Sequence, residues 1–217
     1  MIYKPNFSNA MIKANEILVS SNTITDFPFS PIKLVEEFSD IRCHTFRYAR
    51  EHNIPIDSFG SSSAVLIELN GRAILFFDDT KNVCHCRYSI LHEFAHLYLD
   101  HIIRTSTHSM SLEEREKYGS YEIEANYFVA QLVMPLQLLI ALEKKGYDIN
   151  PNFLQRNFGV SNEAALKRVR CFHKNKHIKF SLSERKHDIA ILKKYKCFLD
   201  PSEQQPSYAN LFSAIAI

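Results

Sequence analysis

The stretch SILHEFAHLYLDH, residues 89–101, places His92 and His96 four positions apart in a mostly apolar run, with Glu93 beside the first. An apolar periodicity of this kind specifies a helix, and residues four apart on a helix share a face, about 6 Å apart along the axis. Two imidazole nitrogens on one face can bind a single tetrahedral zinc ion. Glu93, one position round, is then close enough to take a proton from a zinc-bound water without being a ligand itself. The alternative is an amphipathic helix that carries two surface histidines, and a third protein ligand decides between them.

Asp100 continues the stripe, but residues eight apart lie about 12 Å apart along a helix, too far for one coordination sphere. His101 is expected to point away from the pair. The next helical segment offers Glu122 and Glu124. Glu124 lies on the stripe Glu113, Lys117, Ser120, Tyr127, Gln131, which is mostly polar and reads as solvated. Glu122 lies on the stripe Tyr118, Ala125, Val129, Leu132. A carboxylate on such an apolar face is costly unless paired or metal-bound, which selects Glu122. Asn126 shares its face and is a candidate hydrogen-bond partner behind it. Two histidines and one glutamate leave a fourth position open, as in catalytic rather than structural zinc sites. The expectation is that zinc is lost in Glu122→Ala and largely retained in Glu124→Ala.

Outward from this centre, residues 8–19 read as a helix, with Met11, Ile12, Ile17 and Leu18 at helical spacing. SPIKLVEEF, residues 30–38, is a second, with Ser30 as cap and Pro31 in the first turn. AVLIELNGRAILFF, residues 64–77, is a hairpin about Asn70-Gly71. The metal-bearing helix is expected over Arg87–His101. The next is expected to start after Ser111, where Ser111 and Glu114 make a capping box, and to stop near Pro135. PNFLQRNFGVSNEAALKRVRCF, residues 151–172, reads as helix, glycine turn, helix, with Ser161 as the second cap. Beyond about His173 the chain reads as basic and irregular.

The 217 residues can bury a core, and 46% hydrophobic with 23% charged residues exclude a disordered chain. No signal-like segment opens the sequence, and QLVMPLQLLIAL, residues 131–142, is too short and interrupted to span a bilayer. Five cysteines do not make a secreted disulfide scaffold, so the expected compartment is the cytoplasm. The net charge of +2 is uneven: Lys167–Lys196 holds 11 Lys and Arg against Glu184 and Asp188, a basic module beside an acidic remainder.

RYSILHEFAHLYLDH, residues 87–101, followed by EIEANYFVAQLVMP, residues 122–135, resembles the ImmA/IrrE family of zinc metallopeptidases. Those proteins typically pair an H-E-x-x-H helix with an E-x-E-A-N-x-F-A-x-x-L-L-M-P-like helix. The resemblance extends over roughly residues 8–173. Phe94-Ala95 stands where Leu-Gly is commoner and Leu91 where Ala is, and neither change removes a chemical group. The resemblance implies Glu122 as third zinc ligand, in agreement with the stripe argument. It also implies a cytoplasmic endopeptidase of narrow specificity whose target is a helix-turn-helix transcriptional repressor. Glu93 would then be the general base, while Tyr118, Tyr121 and His108 are near enough in sequence to be considered as the oxyanion stabiliser.

The expected fold is α+β: a zincin-like peptidase domain over 1–145 with a small sheet, a helix-turn-helix-like module over 146–175, and a basic tail over 176–217. The module's second helix carries Lys167, Arg168 and Arg170, which raises the alternative of a DNA-binding regulator with a structural or degenerate metal site. Val169, Cys171 and Phe172 in the same helix have to pack against something, and a docking surface for a protein substrate fits the segment better than DNA reading. Cys84-His85-Cys86 reads as loop or strand without a metal role. Cys171, His173 and Cys197 lack zinc-ribbon spacing. The apolar stretch ANLFSAIAI, residues 209–217, is expected to dock onto the body or a partner.

Overall fold

The computed structural model describes residues 3–55, 63–69, 71–101 and 112–200. Its chain divides into two compact units, one of Met1–Ala10 with Pro31–Val129, the other of Met11–Ser30 with Ala130–Ile217. Helices α1 (Phe7–Ser20) and α5 (Leu112–Val133) each contribute residues to both. The fold is mixed α+β: a small sheet and, among the described residues, ten helices.

In the first unit, α2 (Pro31–Phe38) leads to β1 (Arg42–Thr45), α3 (Phe46–Glu51), β2 (Ala64–Leu69) and β3 (Arg72–Phe77). The sheet order is β1-β3-β2, with β1 parallel and β2 antiparallel to the central β3. Asn70 and the loop before β2 lie outside the described residues, but Gly71 holds a positive φ of 74°, as a tight hairpin demands. Leu75, Phe76 and Phe77 are all buried, because β3 is covered on both faces. Phe76 joins Ile67 of β2 and Phe46 and Ala49 of α3 in one cluster. Alternation sends Leu75 and Phe77 to the opposite face, and α4 (Val83–Tyr98) packs on strands β2 and β3.

Helix α4 begins four residues before the periodicity suggests. Asn82 caps it by accepting a hydrogen bond from His85 N at 3.0 Å, so Cys84, His85 and Cys86 form its first turn rather than a loop or strand. Their side chains diverge: His85 Nε2 lies 2.8 Å from Ser63 Oγ, while Cys86 Sγ lies 3.2 Å from Asp78 O. Along α4, Ile90, Leu91, Phe94 and Ala95 are fully buried, and Phe94 meets Phe128 of α5 with ring centroids 6.4 Å apart. The core therefore fixes both helices that carry the histidines and Glu122.

In the second unit, α6 (Leu136–Lys144) is followed by α7 (Pro151–Phe158), α8 (Asn162–Asn175), α9 (Leu182–Arg185) and α10 (Asp188–Lys194). Pro135 separates α5 from α6, as its missing N–H requires. Gly159 ends α7 in the left-handed region at φ 61°, and Ser161 caps α8 by accepting from Ala164 N at 3.2 Å. Beyond His173 the chain is not irregular: α8 continues to Asn175, and Ser181 and Glu184 form a capping box for α9. Around Phe27 gather the rings of Phe158, Tyr195 and Phe198, at 5.2–5.3 Å. Buried Gln131 donates to Asn15 Oδ1 and Gln137 Oε1, at 2.9 and 2.8 Å.

Candidate functional site

On α4, His92 and His96 present their Nε2 atoms to each other at 3.1 Å, and α5 delivers the Glu122 carboxylate against both. Its Oε2 lies 3.1 Å from His92 Nε2 and its Oε1 3.2 Å from His96 Nε2. Tetrahedral bonds of about 2.0–2.1 Å require donor atoms about 3.3 Å apart, and the three pairs here fall within a few tenths of that value. The donor set is two imidazoles and one carboxylate, with every ligand atom within 4.8 Å of the others, so these residues could hold a metal ion. Among the described residues this is the only such group. Burial by itself would raise the pKa of Glu122. The hydrogen bonds and charges of His92 and His96 outweigh it and hold the carboxylate well below its usual range.

Glu93 sits beside this cluster, close enough for His92, His96 and Glu122 to act on it electrostatically. Burial pushes its carboxyl up, the histidines pull it down, and Glu122 raises it again. Tyr118, one turn before Glu122, hydrogen-bonds the Glu122 side chain; burial and the negative charges of Glu122 and Glu93 push its hydroxyl up to about 12. Tyr121 faces elsewhere, stacked on His101 with centroids 4.2 Å apart and hydrogen-bonded to Tyr3. His108 lies outside the described residues. Asn126 does not reach the Glu122 carboxylate: its Nδ2 donates to the Glu122 backbone carbonyl at 2.6 Å, and its Oδ1 accepts from the Tyr88 hydroxyl.

Two expectations fail here, and both failures have a physical cause. The stripe of Glu124 is not solvated: Ser120 and Glu124 are 4% and 6% exposed, whereas the Glu122 side chain is 33% exposed. Ser120 Oγ donates to Tyr3 O at 2.9 Å and Glu124 Oε1 accepts from Asn6 N at 2.9 Å, so a segment distant in sequence covers the polar face. Glu122 is thus the carboxylate beside the histidines, but not because it is the more buried one.

Nor does His101 point away. The helix ends at Tyr98 with Leu99 as its C-cap, and Asp100 takes a left-handed φ of 56°. His101 N then bonds back to His96 O at 2.9 Å and Asp100 N to Leu97 O at 3.0 Å, the paired closure of a Schellman motif. This reversal tucks His101 beneath His96, with their Nδ1 atoms 3.1 Å apart and His101 Nε2 3.2 Å from Glu124 Oε2. Periodicity gave no signal for this. The available one was an Asp, a residue that tolerates the left-handed region, at the end of the apolar repeat.

A helix bearing paired histidines, a crossing glutamate and an adjacent half-buried carboxylate make a site of metallopeptidase type. The profile of the IrrE N-terminal-like domain, a peptidase family, matches residues 44–170, more than half of the chain. The protein therefore belongs to the ImmA/IrrE family. No curated protein and no solved structure gives a significant match. Among the described residues, no single helix is long and apolar enough to cross a membrane.

Proposed function

We propose that this protein is a zinc-dependent endopeptidase of narrow specificity, with His92, His96 and Glu122 as zinc ligands and Glu93 as general base. The observation that carries the reading is the convergence of the two Nε2 atoms and the Glu122 carboxylate at 3.1–3.2 Å, with Glu93 alongside. A purely structural site has no use for a second, non-ligating carboxylate at that place. Zinc in this cluster would polarise the scissile carbonyl and acidify a water molecule toward neutrality. The chain's own residues do the rest. Glu93, its basicity raised by burial, takes the proton from the attacking water and returns it to the leaving amine. The Tyr118 hydroxyl stays protonated at neutral pH, and by turning its single O–H from Glu122 it can donate to the oxygen on which charge develops.

For the substrate we propose a regulatory protein, a helix-turn-helix repressor above all, cut in the cytoplasm, a reading that membership of the family supports. The rival reading as a DNA-binding regulator loses support from α8. Buried Arg168 donates to Met134 O and Gln131 Oε1 at 2.5–3.0 Å, and Lys167 pairs with Glu163 at 2.6 Å. Of the three basic residues, Arg170 alone is exposed and makes no ion pair among the described residues. The test is elemental analysis of the purified protein together with incubation with the repressor encoded beside its gene. One zinc per chain and a discrete repressor cleavage, abolished by chelator, are expected. A zinc-free protein, or a repressor left intact by the zinc-loaded one, refutes the proposal.

A further inference from the structure

A buried ionisable pair lies directly behind the metal-ligand cluster. His101 and Glu124 are 8% and 6% exposed, and neither belongs to the cluster itself. An isolated carboxylate and imidazole in such a place are costly, and their bonds show what holds them. Glu124 Oε1 accepts from Asn6 N at 2.9 Å, Glu124 Oε2 faces His101 Nε2 at 3.2 Å, and His101 Nδ1 faces His96 Nδ1 at 3.1 Å. Tyr121 lies flat against the His101 ring, with an interplanar angle of 13°, and fixes its plane. By contrast, His92 Nδ1 is buried with no hydrogen-bond partner among the described residues.

We propose that Glu124 and His101 form a carboxylate–imidazole relay that sets the tautomer and orientation of His96, making both of them positioning residues for the metal centre. The proposal rests on the reading of His96 as a ligand. With His101 neutral, the proton assignment has one self-consistent solution. The Glu124 carboxylate can only accept, so His101 carries its proton on Nε2 and leaves Nδ1 bare. A bare His101 Nδ1 requires a proton on His96 Nδ1, which frees the His96 Nε2 lone pair for a metal. The opposite assignment sets a bare imidazole nitrogen against a carboxylate and places a proton on His96 Nε2, where it blocks coordination. His96 is therefore the ligand pre-organised by the fold, and His92 the one left to follow.

This reverses the sequence expectation that Glu124 can be replaced without cost to the metal. The test is zinc affinity measured by competition with a chromophoric chelator, alongside the melting temperature of the metal-free protein. His101→Phe keeps the stacked ring but can neither accept nor donate, and its zinc dissociation constant is expected to rise about 10- to 100-fold. His101→Gln can accept from His96 with its oxygen and donate to Glu124 with its amide, and is expected to restore affinity to within a few-fold of wild type. Glu124→Gln, which keeps the volume, serves as second variant should His101→Phe not fold; weaker zinc binding with unchanged metal-free melting is expected. Equal zinc affinity in wild type and His101→Phe, equal weakness in His101→Phe and His101→Gln, or unaltered affinity in Glu124→Gln each overturns the relay. A wild-type protein that binds no zinc at all overturns the metal reading beneath it instead, so the two failures are distinct.

Discussion

At the scale of single residues, Glu93 and Tyr118 do different work in the proposed chemistry, and conservative changes separate them. Glu93→Gln keeps volume and removes only the basic carboxylate, so zinc content is expected to stay at one per chain while cleavage falls by roughly 10²–10⁴-fold. Cleavage at the wild-type rate by Glu93→Gln would rule out this base. Tyr118→Phe deletes one donor near the developing charge. Its kcat is expected to fall about 10- to 10³-fold at nearly constant KM, the signature of an interaction made in the transition state only. A rise in KM with unchanged kcat would instead make Tyr118 a substrate-binding residue. Glu122→Ala removes a carboxylate bonded to both histidines, and elemental analysis should find the zinc gone.

At the scale of elements, the reversal at the end of α4 and the locked arginine of α8 carry the consequences. Asp100 sits at φ 56°, where a β-branched side chain is strained by about 1–2 kcal/mol. Asp100→Ile is expected to melt earlier and to bind zinc more weakly, because the turn that places His101 loosens. Asp100→Gly, free to adopt that φ, should keep both properties. If both variants bind zinc like wild type, the turn has no bearing on the site. Arg168 bridges Met134 O and Gln131 Oε1 within the second unit. Arg168→Ala leaves Met134 O without this partner, while Gln131 Oε1 keeps Leu136 N, at an expected cost of about 1–3 kcal/mol in chemical denaturation, whereas Arg170→Ala at an exposed position should cost under about 0.5 kcal/mol.

At the scale of the whole molecule, charge and the division into units govern what to expect. Of the 11 basic residues between Lys167 and Lys196, several serve the fold. Lys194 Nζ donates to the carbonyls of Leu18 and Ser21 at 2.7 and 2.5 Å, and Lys176 pairs with Glu143 at 2.6 Å. Binding to duplex DNA should accordingly be weak and indifferent to sequence in a gel-shift titration at two salt concentrations. Tight preference for the operator beside its own gene would make the protein a regulator first. Zinc, at about 100 times its dissociation constant, should stabilise the native state by about 2.7 kcal/mol. By hydrogen exchange the added protection should fall on α4 and α5, not on α7 to α10.

How much of this was legible beforehand depended on the range of the forces involved. Periodicity and local chemistry specified α1, the hairpin, the glycine-ended α7 and the Ser161-capped α8, because caps, turns and apolar stripes act within a few residues. The same locality marked His92, Glu93 and His96, which one helix sets at fixed spacing. Strand β1 and helix α3 escaped notice, since Arg42–Thr45 becomes a strand only by pairing in register with Ile74–Phe77. The covering of the α5 polar stripe by Tyr3 and Asn6 was equally invisible, as were the division that joins Met11–Ser30 to the C-terminal helices and the turn that carries His101 to Glu124. Each depends on groups far apart in the chain meeting in space. The sequence by itself determined which residues could bind a metal and on which helix they ride. Tertiary structure decided which carboxylate faces the histidines and which stands behind them, because burial of a polar side chain is settled by what packs over it and not by its own helical stripe.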